Sequence, residues 1–276
     1  MELQEKLEKL KQSVRETGRL AVAFSGGTDS AFLLKVAHDV LQDNLLAGTA
    51  DSPAHPEREL KEALSFAARY GIRHIVFSSE DADFEALFDN PRDRCYLCKK
   101  STLSKIITIA GQHNIHQVAE GSNMDDLTDD RPGSRAVKEL NVLSPLMEAG
   151  LDKNDIRQLS ERMNLPTWDK PAMACLASRI PYGIRIEPTL LKRLDSAEQF
   201  LRGMGFRQVR VRHHGTIARV EVEPEEICRL AFPEVRRQVA EKLKDLGYLY
   251  PVLDLDGYRT GSLNAVMKQK GNLSRT

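Results

Sequence analysis

The chain contains 276 residues with a mass of 31.0 kDa, enough for one large domain or two modest ones. Charged residues make up 29% and hydrophobic residues 41% of it, a balance that excludes an intrinsically disordered protein. The 40 basic and 40 acidic residues cancel, which argues against a dedicated nucleic-acid-binding protein, because phosphate contacts need a basic surplus.

The N-terminus and the apolar runs indicate the cellular location of the protein. No apolar run approaches the roughly 20 residues that span a bilayer, and the charged N-terminus lacks the core of a signal peptide. It is predicted instead to form an amphipathic helix, with one face made of Leu3, Leu7, Leu10 and Val14. We therefore expect a cytoplasmic protein with no membrane partner.

The first half of the chain alternates short apolar runs with helical patterns. Four buried strands are predicted, with helices between them, at 19–24, 45–50, 72–77 and 116–121. This alternation predicts an α/β fold with a doubly wound parallel sheet. Such sheets bind ligands beyond the carboxyl ends of their strands.

The pattern changes after a predicted helix at 152–164. Residues 165–183 are rich in proline and small residues, and they are predicted to form a connecting loop. Beyond Glu187, a helix, two strands joined by the link 213–216 and a later strand at 250–255 predict a smaller α+β domain. We divide the chain into a first domain at 1–165, a loop at 166–186 and a second domain at 187–276.

A glycine-rich segment, Ser25-Gly26-Gly27-Thr28-Asp29-Ser30, lies between the first strand and the next helix. Its glycines let backbone N–H groups converge on an anion, and the helix adds its positive N-terminal dipole. The hydroxyl groups add donors. Asp29 would repel a bare phosphate, so a magnesium ion shared with the phosphates explains its presence. The alternative interpretation is a Gly-Gly turn with Ser and Asp helix caps.

This segment resembles the PP-loop of the ATP pyrophosphatase superfamily, whose members adenylate a carbonyl or carboxyl group and then replace AMP with a nucleophile. Two further segments fit the resemblance, since 49–59 follows the second strand and 120–133 follows the fourth. The resemblance implies ATP and Mg²⁺ as cofactors, with Asp29 as the magnesium ligand. The nucleotide-binding residues that it implies are Ser25, Gly26, Gly27, Asp29, Ser30, Asp51 and Gly121.

Within the superfamily, the segments EGSNMDD…DRPG and PAMACLASRIPYG (171–183) resemble the LarE sulfur transferases, which act in assembly of the nickel-pincer nucleotide cofactor. The resemblance covers nearly the whole chain. Family members use a cysteine of the second segment as their sulfur source, which matches Cys175 as the catalytic residue. A thiol beside Arg179, among small residues, is also placed to react. The alternative is an inert small residue in a packed loop.

Cys95 and Cys98 form a C-x-x-C pair at the start of a helix predicted at 98–111. In a cytoplasmic chain, thiol chemistry or metal binding is more common than a disulfide, and a thiolate pair needs further ligands for zinc or an iron–sulfur cluster. LarE proteins have either one sacrificial cysteine or three cysteines that hold a [4Fe–4S] cluster, and Cys175 as a third ligand places this chain with the second version. Zinc, a redox disulfide and unligated thiols remain alternatives. Cys228 is predicted to lie in the core.

A basic stretch, Arg207 to His214, includes Arg210 and Arg212 on one strand face, where two guanidinium groups can bind a phosphate. Solvated strand charges are the alternative. The LarE resemblance implies a pyridinium dicarboxylate mononucleotide as substrate, with its phosphate bound by Ser178, Arg179, Arg210 and Arg212. Three nearby carboxylates could complete a cation site: Glu198, Glu221 and Glu223.

We therefore predict an ATP-dependent sulfur transferase that adenylates a carboxylate, releases pyrophosphate and forms a thiocarboxylate with sulfur from Cys175 or its cluster. The domain 1–165 adenylates, the loop 166–186 carries the cysteine, and 187–276 serves substrate binding and oligomerisation. Sulfide or another sulfur donor and further copies of the chain are expected partners. Two alternatives remain: a tRNA thiolase, since related PP-loop proteins with three cysteines and a cluster modify tRNA, and a non-catalytic module that binds a nucleotide and zinc.

Overall fold

The structure, a computed structural model, describes residues 2–78, 85–127, 132–171 and 174–259. The chain divides into two compact units. The first contains Met1–Leu87 and Pro91–Met173, and the second contains Phe88–Asn90 and Ala174–Thr276. Among the described residues, no helix is both long enough and apolar enough to cross a membrane.

A four-stranded parallel sheet forms the centre of the first unit. Its strands are β1 (Leu20–Ala23), β2 (Leu45–Asp51), β3 (His74–Ser78) and β4 (Val118–Ala119). They lie in the order β3-β2-β1-β4, so that Ala21 is paired with both Leu46 and Val118. Because β2 and β4 lie on opposite sides of β1, the strand order reverses there. Parallel sheets bind ligands at such a point.

Helices cover both faces of this sheet. In chain order they are α1 (Leu3–Thr17), α2 (Thr28–Leu41), α3 (Glu57–Arg69), α4 (Glu85–Phe88), α5 (Arg94–Gln112), α6 (Gly133–Glu139), α7 (Pro145–Glu148) and α8 (Lys153–Arg162). Leu20 and Val22 pack in one core with α1, α2 and α8, while Ala21 packs in the other with α5. Both faces are buried, as in doubly wound sheets, and the predicted α/β fold class is confirmed.

The second unit is the smaller α+β part of the chain. Its elements are α9 (Pro188–Gly203), β5 (Val209–His214), β6 (Ile217–Val222), α10 (Ile227–Ala231), α11 (Pro233–Asp245) and β7 (Tyr250–Leu253). The strands lie in the order β5-β6-β7. β5 runs antiparallel to β6, and β7 runs parallel to it. Val211 and Val220 are paired and buried on the apolar face.

Three details differ from the sequence-based expectations. His213 and His214 belong to β5, because the chain reverses only at Gly215, whose φ of +65° favours glycine. Helix α5 begins at Arg94, so the whole C-x-x-C pair is helical. Cys228 is exposed rather than in the core. It lies on the five-residue helix α10, where Leu230 is buried, and residues two apart do not share a helix face.

A short segment, Phe88–Asn90, is held inside the second unit by Asn90. This residue is fully buried and has a φ of +55°. Its Nδ2 donates to the carbonyl groups of Pro181 at 2.8 Å and Ile184 at 3.0 Å, and its own carbonyl accepts from the N–H of Gly183 at 3.0 Å. A segment shortly before the C-x-x-C pair is therefore joined to residues shortly after the loop cysteine.

Candidate functional site

The predicted phosphate loop connects β1 to α2. Gly26 has a φ of +73°, and a Cβ at this position would lie 3.3 Å from the Cβ of Ala63, so glycine is the residue that fits. The hydroxyl groups of Ser25 and Ser30 are 3.0 Å apart, and that of Ser30 donates to the carbonyl of Gly27 at 3.2 Å. Gly27 is the N-cap of α2, so the loop ends at N–H groups that have no acceptor within the helix.

Two other predicted nucleotide-binding residues lie at the ends of strands. Gly121 follows β4, and a Cβ there would be 3.0 Å from the amide nitrogen of Ser30. This glycine therefore packs directly on the phosphate loop. Asp51 is the exposed last residue of β2, paired with Ser78 of β3. Both placements agree with ligand binding at the carboxyl ends of parallel strands, and the nucleotide contacts themselves remain predictions.

Two lysines that sequence reasoning missed contact the loop. Lys153, the first residue of α8, places its Nζ 2.6 Å from Oδ2 of Asp29. Lys170 places its Nζ 2.8 Å from the carbonyl oxygen of Gly26 and 2.5 Å from a carboxylate oxygen of Glu62. Both come from segments far along the chain, and no short motif in the sequence marks them.

A buried carboxylate fixes the chain just before Gly121. Glu120 accepts hydrogen bonds from the hydroxyl groups of Ser122 and Ser144 at 2.9 Å each, and it pairs with Lys99 at 2.7 Å. Burial opposes ionisation of this carboxyl group. The charge of Lys99 and the serine hydroxyls outweigh burial and hold the pKa of Glu120 below its ordinary value. The carboxylate is thus an ionised anchor for the strand end beside the loop.

The predicted cluster ligands lie on two elements. Cys95 is exposed and Cys98 half-buried at the start of α5, and their spacing of three places them on one side of the helix. Cys175 is half-buried and precedes a short 3₁₀ turn, Leu176–Arg179. The pair belongs to the first unit and Cys175 to the second. In the part of the chain that the structure describes, no three His, Cys, Asp or Glu side chains form a group that could hold a metal ion, and the cluster remains a prediction.

Arg179 anchors the backbone around Cys175. Its buried guanidinium donates to the carbonyl groups of Ala174 at 2.5 Å and Cys175 at 3.0 Å, and it forms two hydrogen bonds with Glu198 at 2.8 and 2.9 Å. Burial is the largest single influence on Glu198 and opposes its ionisation. The hydrogen bonds and charge of Arg179, together with the charges of Arg202 and Arg210, outweigh burial and hold the pKa of this carboxyl below its ordinary value. These contacts hold the loop around Cys175, and binding of a substrate anion by Arg179 stays a prediction.

The two arginines of β5 are buried, which is contrary to the alternative of solvated strand charges. Arg212 forms two hydrogen bonds with Glu221 at 3.0 and 2.9 Å, and it donates to the carbonyl of Ser178 at 2.9 Å. Burial, together with the charge of nearby Arg179, lowers the pKa of Arg210 to about 10. Arg210 therefore lies where an additional negative charge would be favourable.

Among the described side chains that form ion pairs or charge interactions around these arginines, five are cationic and three are anionic. The ionised side chains concerned are Arg179, Arg202, Arg210, Arg212, Arg219, Glu198, Glu221 and Asp254. The sequence offers Glu198 and Glu221 as candidate ligands of a cation. They are instead bound to arginines, and Glu223 is exposed. The surplus suits an anion rather than a second cation.

No family model matches this chain. A pyridinium-3,5-bisthiocarboxylic acid mononucleotide synthase of Lactiplantibacillus plantarum is 35% identical to it over 91% of each chain. Proteins named as uncharacterized from Synechocystis sp. and Methanocaldococcus jannaschii are 40% and 29% identical, over 96% and 92% of this chain and 99% and 98% of their own. Weaker matches, at 21–25% identity, are GMP synthases and an argininosuccinate synthase, which are PP-loop proteins.

Proposed function

This chain is an enzyme of the LarE family, to which the pyridinium-3,5-bisthiocarboxylic acid mononucleotide synthase belongs, and we propose that it is an ATP-dependent sulfur transferase making the same product. The observation that carries the proposal is the 35% identity over 91% of both chains. The weaker similarity to GMP synthases supports the use of ATP. The substrate is a pyridinium dicarboxylate mononucleotide, and the product is a thiocarboxylate precursor of the nickel-pincer cofactor.

The first unit carries out adenylation. ATP binds with its phosphates at the loop from Ser25 to Ser30, where the N-terminal N–H groups of α2 and two serine hydroxyls supply donors. Asp29 holds a magnesium ion, which neutralises phosphate charge when bound. Asp51 and Gly121 border the nucleotide. Donors that are fixed before the reaction stabilise the charge that develops on the departing pyrophosphate.

The second unit binds the phosphate group of the substrate. Ser178, Arg179, Arg210 and Arg212 form this site, supported by the surplus of buried positive charge and by the lowered pKa of Arg210. An anion beside Arg210 offsets both burial and the repulsion from Arg179. Arg212 contributes charge while its contacts with Glu221 and the Ser178 carbonyl keep it in place.

Sulfur is delivered from the region of Cys175. Its carbonyl accepts from Arg179 and from the N–H of Ser178 at 2.9 Å, so the backbone that carries the thiol is fixed. Cys95, Cys98 and Cys175 would hold a [4Fe–4S] cluster, since three thiolates are a suitable donor set. When bound, such a cluster would supply sulfur for repeated turnover.

The proposed division of labour follows the segments 1–165, 166–186 and 187–276. A homo-oligomer formed through the last segment is supported by large apolar side chains that are exposed on it, namely Phe232, Leu249, Tyr250 and Leu255. Light scattering should give a mass of several chains for the purified protein. A monomer at working concentrations would contradict the assembly and leave the chemistry untouched.

The function is tested by supplying MgATP, the dicarboxylate mononucleotide and sulfide anaerobically. We expect release of pyrophosphate and AMP, and a product in which mass spectrometry detects sulfur in place of oxygen. Asp29→Asn should stop pyrophosphate release. Cys175→Ala should keep that release and lose sulfur transfer, whereas the exposed Cys228→Ala should keep both. A wild-type protein that releases no pyrophosphate with this substrate, or that thiolates copurifying tRNA, would contradict the proposal.

A further inference from the structure

An ion pair at the phosphate loop contains a lysine that the proposed function does not use. The Nζ of Lys153 lies 2.6 Å from Oδ2 of Asp29, and the two side chains are 34% and 24% exposed. Asp29 is the second residue of α2, so the ammonium lies at the helix end that attracts anions. We infer that Lys153 is a catalytic residue that binds the departing pyrophosphate during adenylation, an inference that rests on the proposed function.

The backbone of Lys153 is fixed, and its side chain can change partner. Its N–H donates to Oδ2 of Asp125 at 3.0 Å. The preceding residue, Asp152, caps α8 by accepting from the N–H of Asp155 at 2.8 Å. The lysine therefore starts from a defined position beside the turn that follows β4. Its four-carbon side chain, partly exposed, can carry the ammonium from the carboxylate to a bound anion.

Two other described lysines near the loop contact groups that are not proposed to bind magnesium. Lys170 bridges the Gly26 carbonyl and Glu62, with its side chain 12% exposed, and Lys99 pairs with the buried Glu120. None of these three partners is a proposed ligand of magnesium. Asp29 is, so the partner of Lys153 has a second role when MgATP binds. When its carboxylate binds the metal, the lysine loses its counter-ion and becomes available to a phosphate.

Adenylation creates negative charge that this ammonium can stabilise. A carboxylate oxygen of the substrate attacks the α-phosphorus of ATP, and the bond between that phosphorus and the bridging oxygen breaks. The electron pair of the broken bond leaves with pyrophosphate, and the acyl-adenylate retains the AMP part. Charge on the leaving group is therefore greater in the transition state than in bound ATP, and a cation placed there lowers the barrier.

A purely structural role for Lys153 predicts the opposite result in a binding experiment. If the lysine only neutralises Asp29, its removal frees the carboxylate for magnesium, and magnesium pyrophosphate should bind equally well or more tightly. If the lysine binds pyrophosphate, its removal should weaken that binding. AMP lacks the two phosphates concerned, so its affinity should be unchanged.

The test is calorimetric titration of the full chain with magnesium pyrophosphate and, separately, with AMP. Lys153→Met should raise the Kd for magnesium pyrophosphate about 10- to 100-fold, the effect of one charge-assisted hydrogen bond, and Lys153→Arg should recover part of it. Lys35→Met is the matched control, since Lys35 pairs with Asp39 further along α2. This variant should bind both magnesium pyrophosphate and AMP as the wild type does. Unchanged or tighter pyrophosphate binding by Lys153→Met, with a wild-type thermal unfolding curve, would overturn the inference. A wild type that binds pyrophosphate but makes no thiocarboxylate would contradict the proposed function alone.

Discussion

Replacing Gly26 by alanine tests whether the phosphate loop binds ATP through its backbone. The native φ of +73° costs an alanine about 1–2 kcal/mol. The added methyl group would lie 3.3 Å from the Cβ of Ala63 and 3.4 Å from the carbonyl oxygen of Glu59. Ala63 is fully buried, and the Glu59 atom belongs to the backbone of α3, so neither neighbour can move aside easily. We expect the loop to shift instead.

A shifted loop would misalign the N–H groups that are proposed to bind the phosphates. Losing one hydrogen bond to a charged group costs about 1.5–3 kcal/mol, and each 1.4 kcal/mol is about tenfold in affinity. Gly26→Ala should therefore raise the Kd for MgATP by about 10- to 150-fold. Calorimetry measures this directly. The single tryptophan, Trp168, offers a fluorescence signal, because the neighbouring Thr167 accepts a hydrogen bond from Thr28 of α2.

Gly71→Ala separates backbone strain from crowding. Gly71 has a φ of +65°, and a Cβ there would have no heavy atom within 4 Å. Both variants should lose about 1–2 kcal/mol of unfolding free energy through the left-handed backbone, and both should remain folded. Only Gly26→Ala should lose affinity for MgATP. Equal loss in the two variants, or wild-type affinity in Gly26→Ala, would refute the reasoning.

The remaining predictions concern the second unit and the cysteines. Arg179→Met breaks a buried ion pair and should lower the free energy of unfolding by about 3–5 kcal/mol. Arg185→Met removes an exposed ion pair and should lower it by about 0–1 kcal/mol. Similar losses for the two variants in denaturant titrations would argue against an anchoring role for Arg179. After anaerobic reconstitution, alanine at any of the three proposed cluster ligands should remove bound iron and visible absorbance, and Cys228→Ala should retain both; iron retained in every variant would exclude the cluster. The folded-state pKa of Glu198 lies below its unfolded value near 4.5, so its contribution to stability is present above that pH and is lost as the pH falls through the folded-state pKa. Glu198→Gln should flatten the acid side of a plot of melting temperature against pH, and an unchanged slope would show that this carboxyl does not control acid unfolding.

The sheet and the phosphate loop could be predicted because their signals are local. Residues 20–24 are an apolar run between Arg19 and Ser25, and burial on both faces of the sheet removes any need for alternation. A helical pattern follows that run, and the glycines lie between the two, at the carboxyl end of the strand. Any α/β chain with this order puts the loop at the edge where ligands bind.

The charged groups could not be assigned from the sequence, since their partners depend on packing. Arg179 and Glu198 are 19 residues apart, and Lys153 and Asp29 are 124 apart. Composition identifies these residues as charged, and only the fold decides whether they meet water, each other or an anion. The error at Cys228 has a related cause, because helical spacing does not show that α10 ends after five residues.

The hydrogen bonds of Asn90 limit where the chain can be truncated and affect the order in which its units fold during translation. A fragment beginning at Ala174 would lack the amide that donates to the carbonyl groups of Pro181 and Ile184, so two partly buried acceptors would lose this donor. On the ribosome, the segment Phe88–Asn90 is synthesised long before the residues it binds. The second unit can complete its structure only after Ile184 has been translated. The first unit must fold although three residues within its sequence, Phe88–Asn90, belong to the second unit. A truncation or fusion boundary at 173 would therefore separate residues that fold together.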